Sequence, residues 1–376
     1  MQKKAFLQFK RFDIILLGAT SLLIAMGLLV LYSSGIRSAQ SVSQLDTSRQ
    51  VVYVIIGASL FWIVTRLDYA VLRSYSTVIY IIMLALLLAV EVFGATRLGA
   101  TRWISLGFFQ FQPSEFSKLA LTIVLAKFFA SSYDHSDKLK YLFISIIYLL
   151  PPLILVLVQP DLGTALVLVV IWLAMALTSR IKKRYFAALF VTLILCAPIL
   201  YPRLAPYQQQ RVLTFVSPTA NPSTTGYNVN QAIIAVGSGG LLGQGLSSGS
   251  QSQGNFLPSQ QTDFIFAVLS EKLGFLGGLV SIFLYSVLVI RAVWIAQNSS
   301  DRFGTFLAIG IATMFGFHVL VNISMNIGLL PVTGIPLPFI SAGGTSMIIS
   351  LLSVAILESI YAKRRTLTLT SKEIYE

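Results

Sequence analysis

The sequence predicts an all-α polytopic membrane protein with ten transmembrane helices, both termini cytoplasmic, and a large extracytoplasmic loop between helices 7 and 8. Three observations predict it. Of 376 residues, 56% are hydrophobic and only 11% are charged, which excludes an ordinary soluble globular chain. Apolar runs long enough to cross a bilayer recur along the chain. Lysine and arginine fall unevenly in the segments between those runs.

The spans are expected at 13–32, 51–65, 75–93, 114–130, 141–158, 162–179, 185–201, 263–290, 303–325 and 339–360, the second being short. No small-residue cleavage site follows the first run, so it reads as a spanning helix rather than a removed signal peptide. With the N-terminus inside, the cytoplasmic segments hold 19 Lys and Arg against 6 on the opposite face, and Lys118 and Lys272 fall inside helices. That asymmetry sets the orientation. It also accounts for the net charge of +13 without a nucleic-acid partner. The single cysteine, Cys196, lies in an apolar run, which excludes an internal disulfide and a multi-cysteine metal cluster.

The outward connections are the unusual ones. Residues 94–113 mix glycine, arginine and aromatics and are expected to form a loop. Residues 202–262 form the extracytoplasmic loop, punctuated by Pro and Gly but containing apolar runs such as 232–236. Such runs predict short surface helices or re-entrant pieces. Residues 326–340 carry no charge and three prolines, which suits a segment buried against protein. No internal repeat and no separate soluble domain is evident, so residues 1–376 read as one integral membrane domain.

The candidates for chemistry are few. There is no HExxH or Walker A motif. His135 falls in a cytoplasmic loop and His318 within the ninth helix. A base acting at the outer face is then a carboxylate, from Asp46, Glu91, Glu115, Asp161, Asp263 or Glu271. Asp46 lies in a polar loop, and Glu91 ends the third helix. Glu115 and Lys118 are three apart, on one helical face, and admit two readings: a structural ion pair, or a polar wall of an outward cavity with Lys118 near a phosphate. Asp161 opens the sixth helix, where an aspartate accepts backbone N–H bonds. Asp263 could cap the eighth helix in competition with Thr262, yet it is the first charged side chain after Arg211. Glu271 and Lys272, two turns further on, would carry charge well into the membrane. A carboxylate so placed among apolar groups suits proton transfer near neutral pH. Arg102 with Trp103, and Arg203 with Arg211, place guanidinium groups at the membrane surface, either as interfacial anchors or as grips for an anionic head group. The glycine-rich run 237–249 holds no basic residue and reads as a tightly turning connector rather than a phosphate cradle.

Six stretches together resemble the SEDS family (RodA, FtsW, SpoVE) of membrane-embedded peptidoglycan glycosyltransferases. They are ATRWISLGFFQFQPSEFSKLAL (100–121), QPDLGTALVL (159–168), YQQQRVLTFVSP (207–218), GYNVNQAIIAVGSGGLLGQG (226–245), QSQGNFLPSQQTDFIFAVLSEKLGFLG (251–277) and GLLPVTGIPLPFISAGGTS (328–346). The GSQSQ–FLP run and PVTGIPLPFIS look more like the RodA elongation branch. The resemblance implies polymerisation of lipid II at the outer face of the bacterial cytoplasmic membrane. The growing chain on undecaprenyl pyrophosphate is the donor, and the GlcNAc 4-hydroxyl of incoming lipid II is the acceptor. It further implies that Asp263 is catalytic and that Arg102, Trp103, Glu115, Lys118, Asp161, Arg211 and Gln260 bind substrate. No dedicated metal site or cofactor is implied, with a divalent cation (Mg or Mn) left open. The implied partners are a class B penicillin-binding protein transpeptidase and the elongation machinery.

Two departures stand out. Ser259 and Gln261 replace the family's usual acidic residue and histidine before the T-D-F-I-F run, and Ala342 replaces its Y-G-G-S-S tyrosine. The competing readings are a lipid II flippase or other head-group transporter, a division or sporulation paralogue, and a non-catalytic scaffold.

Overall fold

The computed structural model describes residues 12–35, 42–97, 100–106, 109–135, 137–200, 202, 209, 225–254, 256–257 and 259–374. Each expected span contains a helix: α1 (Ile14–Gly35), α2 (Val42–Arg66), α3 (Ala70–Phe93), α4 (Pro113–Ser132), α5 (Leu139–Val158), α6 (Leu162–Thr178) and α7 (Lys183–Leu200). After two short helices, α8 (Thr225–Ser238) and α9 (Ser250–Gln253), come α10 (Ile265–Gln297), α11 (Arg302–Asn326) and α12 (Gly344–Ile374). Among the described residues, 7 helices are long and apolar enough to cross a membrane. The chain is a multi-pass membrane protein. Helix α6 is apolar but has 17 residues, and α4 carries Glu115, Lys118 and Lys127.

The structure corrects several expectations. Residues 94–113 are not an irregular loop. They contain an antiparallel sheet in the order β1 (Ala95–Arg97), β2 (Ala100–Leu106) and β3 (Phe109–Phe111). Trp103 pairs with Ala95 and Ile104 with Phe111. Threonine, tryptophan, isoleucine and phenylalanine favour a pleated, half-buried surface, so the all-α class needs this small exception. Helix α2 starts earlier than its apolar run, at Val42, and Gln50 just before that run is buried: it donates to Ser341 O (3.3 Å) and accepts from Gly343 N (3.1 Å). The last helix starts at Gly344 rather than 339. A side chain at 344 would meet the Tyr53 ring at 2.9 Å.

Helix α10 is broken at Gly274 (φ 70, ψ −168). The glycine-rich turn after α8 pairs with the broken backbone. Gln244 N donates to Glu271 O (2.9 Å), Gly245 N to Lys272 O (3.1 Å), Phe275 N to Gly240 O (2.8 Å) and Leu276 N to Leu241 O (3.2 Å). A Cβ on Gly243, itself at φ +84, would lie 2.2 Å from Lys272 O, so the two chains meet glycine to glycine. The run is thus a tight connector. Glu271 and Lys272 do not stand bare in a continuous helix either. The Glu271 carboxylate accepts from Gln251 N (2.8 Å) and Ser252 N (3.0 Å), capping α9, whose own cap position is a glycine. Lys272 Nζ donates to Leu246 O (3.2 Å).

The core is built by α4, α6 and α11 together with the buried faces of α10 and α12. At the end of the bundle away from Asp263, the Asp13 carboxylate caps α1, accepting from Leu16 N (3.2 Å) and from Arg291 Nε of α10 (2.9 Å). Asp13 N donates to Glu358 of α12 (2.9 Å). Three helices are tied there.

Candidate active site

Four segments converge at the opposite end: the start of α4, the start of α6, the turn before α10, and the proline-rich loop between α11 and α12. Helix α4 opens with Pro113 at its first position, pre-set for helical φ. One turn on, Lys118 Nζ lies 2.6 Å from Glu115 Oε1, both side chains almost fully buried. The same ammonium lies 3.1 Å from His318 Nε2 on α11. His318 Nδ1 is 3.2 Å from Pro336 O. A carbonyl only accepts, so Nδ1 carries the proton and Nε2 accepts from Lys118. The sequence spacing anticipated the Glu115–Lys118 contact but not its third member.

Asp161 caps α6 as its position suggested, accepting from Thr164 N (3.2 Å). It also accepts from Thr164 Oγ1 (2.9 Å), from Ser114 Oγ (2.9 Å) and from Gln112 Nε2 (3.4 Å). One carboxylate therefore joins the openings of α4 and α6. Arg102, on β2, donates Nε to Gln159 O (3.0 Å) and Nη2 to Pro160 O. Two of its five donors bind the carbonyls that end α5, leaving three N–H groups outside those two bonds. Trp103 beside it is half-buried. Arg203 and Arg211 lie outside the described residues.

Asp263 sits in a turn whose amides close on Ser259 O: Thr262 N and Asp263 N both donate at 3.1 Å. Ser259 takes a positive φ of 53 there. Gln260, in this turn, is half-buried, as is Asp263. Helix α10 begins after Asp263, with Phe264 in the cap position. The backbone O of Asp263 accepts from Asn322 Nδ2 (3.1 Å) and Asn326 Nδ2 (3.0 Å), both on α11. Ser341 Oγ donates to Thr262 O (2.7 Å), and Ala342 N to Gln261 O (2.8 Å).

The proline-rich loop is the hub that these pieces share. A Cβ on Gly334, at φ +76, would lie 3.9 Å from Asp263 Oδ2, so the carboxylate faces this glycine. A Cβ on Gly163 would lie 2.7 Å from Thr333 O, which seats the start of α6 on the same loop. Pro336 O meets His318, and Ile335 O accepts from Asn322 (2.8 Å). Asp263, Asp161 and the Glu115–Lys118 pair, far apart in sequence, are thus packed around residues 333–337. His318, Asn322 and Asn326 were not identified as site residues from sequence. Their only signal was polarity recurring every four residues in an apolar helix.

Among the described residues, no three His, Cys, Asp or Glu converge to hold a metal ion. The Asp161 oxygens already accept from Ser114, Thr164 and Gln112.

Comparison with known proteins agrees with this architecture. The FtsW/RodA/SpoVE family model, described as a cell cycle protein, matches residues 13–366. Peptidoglycan glycosyltransferase MrdB of Escherichia coli K12 is 37% identical over 357 residues, 95% of this chain and 96% of that protein. Stage V sporulation protein E of Bacillus subtilis is 36% identical over 358 residues, 92% of this chain and 95% of that protein. A chain from a structure described as the structural coordination of polymerization and crosslinking by a peptidoglycan synthase complex superposes with a TM-score of 0.81 at 28% identity, covering 94% of this chain and 98% of that one. With the family model matching residues 13–366 and the likeness running nearly end to end, this chain belongs to the FtsW/RodA/SpoVE family.

Proposed function

We propose that this chain is a peptidoglycan glycosyltransferase that polymerises lipid II at the outer face of the bacterial cytoplasmic membrane during cell elongation. In this reading all ten helices span, both termini are cytoplasmic, and Asp263 stands at the outer surface. The observation that carries it is Asp263: a half-buried carboxylate whose backbone is fixed by α11 and whose side chain faces a glycine, where a sugar can approach.

The Asp263 carboxylate takes the proton from the GlcNAc 4-hydroxyl of incoming lipid II. The freed oxygen attacks the anomeric carbon of the donor sugar from the face opposite the diphosphate. One C–O bond forms, the bond to phosphate breaks, and undecaprenyl pyrophosphate leaves with the electron pair. A single inverting displacement needs one base and no carboxylate nucleophile. Diphosphate is already a good leaving group, so stabilising its charge matters more than protonating it. Lys118 is committed to Glu115 and His318, so it acts on this charge from behind the site wall. Direct contact falls to Arg102 and Arg211, with Trp103 and Gln260 lining the sugar. Asp161 holds the openings of α4 and α6 in register. A divalent cation, Mg or Mn, would be held chiefly by the diphosphate itself, and no step depends on it.

The relatives support the activity by name. They leave the cellular role open, since a sporulation protein matches almost as well as MrdB. The RodA-like GSQSQ–FLP and PVTGIPLPFIS stretches favour elongation over division or sporulation. A class B penicillin-binding protein is the natural partner, because polymerised strands must then be crosslinked. The test is polymerisation of purified lipid II by the protein with its transpeptidase, comparing wild type with Asp263→Asn and Asp263→Ala. Product is expected from wild type alone, with folding and complex formation intact in all three. Strands made at the wild-type rate by Asp263→Asn would overturn the reading and leave a lipid II flippase as the reading to test by transport.

A further inference from the structure

His318, Asn322 and Asn326 lie four residues apart on α11, so they form one stripe along the helix. All three are buried, Asn322 and Asn326 at 0% exposure. A buried amide in an apolar helix needs partners. Asn326 Nδ2 donates within the stripe, to Asn322 O (2.8 Å) and Asn322 Oδ1 (3.3 Å), and the other partners of the two amides are backbone groups of the segments that frame Asp263. Asn322 donates to Ile335 O (2.8 Å) and to Asp263 O (3.1 Å). Asn326 donates to Asp263 O (3.0 Å), and its Oδ1 accepts from Ala267 N (3.0 Å).

The Asn326 geometry is the telling part. The first turn of a helix leaves its N–H groups without intrahelical partners. Phe264, in the cap position of α10, has no side-chain oxygen to offer. Asn326 supplies that acceptor from a neighbouring helix, while its amide nitrogen holds the carbonyl just before the helix. One side chain thus caps α10 and pins Asp263. Asn322 links the same carbonyl to Ile335, beside the Gly334 that the carboxylate faces.

We infer that Asn322 and Asn326 are positioning residues, which fix the Asp263 backbone against the 333–337 loop so that its carboxylate is presented in one place. His318 continues the stripe and ties the same loop to the Glu115–Lys118 pair, making the acid and the pair parts of one rigid frame. The inference rests on Asp263 being the base. It adds that placement of that base is set by two amides that touch neither sugar nor diphosphate.

The test uses the full-length protein with its transpeptidase partner and separates capping from positioning. Asn326→Asp keeps the acceptor for Ala267 N but loses the donors to Asp263. Asn326→Ala loses both, and Asn322→Ala loses the link between Asp263 O and Ile335 O while leaving the Asn326 acceptor on Ala267 N. In each folded variant kcat is expected to fall by roughly 100-fold, the scale of a misplacement of about 1 Å, with little change in KM. Hydrogen exchange over 263–267 is expected to quicken in Asn326→Ala, while the Ala267 amide stays protected in Asn326→Asp. In an Asp263→Glu background, where the carboxylate is already displaced, Asn326→Ala is expected to add little further loss. Wild-type kcat in Asn326→Asp, or kcat restored there simply by raising pH, would overturn the inference. So would an Asn326→Ala effect that multiplies in full with Asp263→Glu. If Asp263→Asn itself polymerises normally, the functional reading fails, and the exchange experiment still reports whether the amides hold this turn.

Discussion

Removing one member of the Glu115–Lys118 pair distinguishes a structural ion pair from a cavity wall. The charges lie 2.6 Å apart, with the side chains 1% and 6% exposed. Lys118→Met leaves a carboxylate with no cation, and Glu115→Gln leaves an ammonium whose remaining partner is His318. Breaking a buried pair from one side costs about 3–5 kcal/mol, whereas removing both charges is often close to neutral. The double variant still leaves His318 Nε2 without its donor, a penalty of about 1–3 kcal/mol. Each single variant is therefore expected to lose about 3–5 kcal/mol. The double variant should recover most of that, giving a coupling of several kcal/mol. Thermal and denaturant unfolding in one detergent, followed by tryptophan fluorescence, measures all three. Single variants each losing less than about 1 kcal/mol, as exposed pairs do, would refute the sealed-pair account, and so would a double variant losing the sum of the singles.

Other expectations are simpler to state. Gly274→Ala and Gly243→Ala each force a Cβ into a backbone atom at positive φ, at a cost of at least about 1–3 kcal/mol; limited proteolysis between α8 and α10 should then rise sharply, and an unchanged pattern would contradict the paired break. Asp161→Ala should destabilise by about 1 kcal/mol for the lost cap and more for the stranded donors of Ser114 and Thr164, with Asp161→Asn milder, as read by unfolding. Tyr69, in the turn before α3, donates to Asp301 (2.6 Å), and burial raises its pKa above the ordinary 10.0. Above that pH the unfolded chain releases a proton that the folded one retains, so stability falls as pH rises past about 10; Tyr69→Phe should flatten that decline, and an equally steep decline in the variant would exclude Tyr69 as its source.

The helices were legible because span length and apolar content leave little choice of structure in lipid. The Asp161 cap and the Glu115–Lys118 contact were legible because both obey spacing rules within one helix. Contacts between distant segments were not. Arg102 ends on the carbonyls of Gln159 and Pro160, which no local pattern announces. The strands between α3 and α4 were hidden by the glycines that flank them and by the three-residue length of β1 and β3. Hydropathy runs through Gly274 without a pause, so the break shows only once its pairing partner is in place. His318, Asn322 and Asn326 draw their meaning from carbonyls of the turn before α10 and the 333–337 loop, and only the assembled bundle brings these together.

The divided α10 has a further consequence. From Phe264 to Lys272 every side chain is enclosed by protein, whereas Phe275, Leu276, Leu279 and Phe283 lie open on the outer surface. The carbonyls and amides flanking the division are satisfied by the turn after α8, and hydrocarbon could not satisfy them. The bend is therefore conditional on that turn, because with the turn undocked the groups at the break have no partner in lipid. The enclosed segment that carries Asp263 into the bundle and the lipid-facing remainder of α10 are thus held at their mutual angle by backbone from outside the helix.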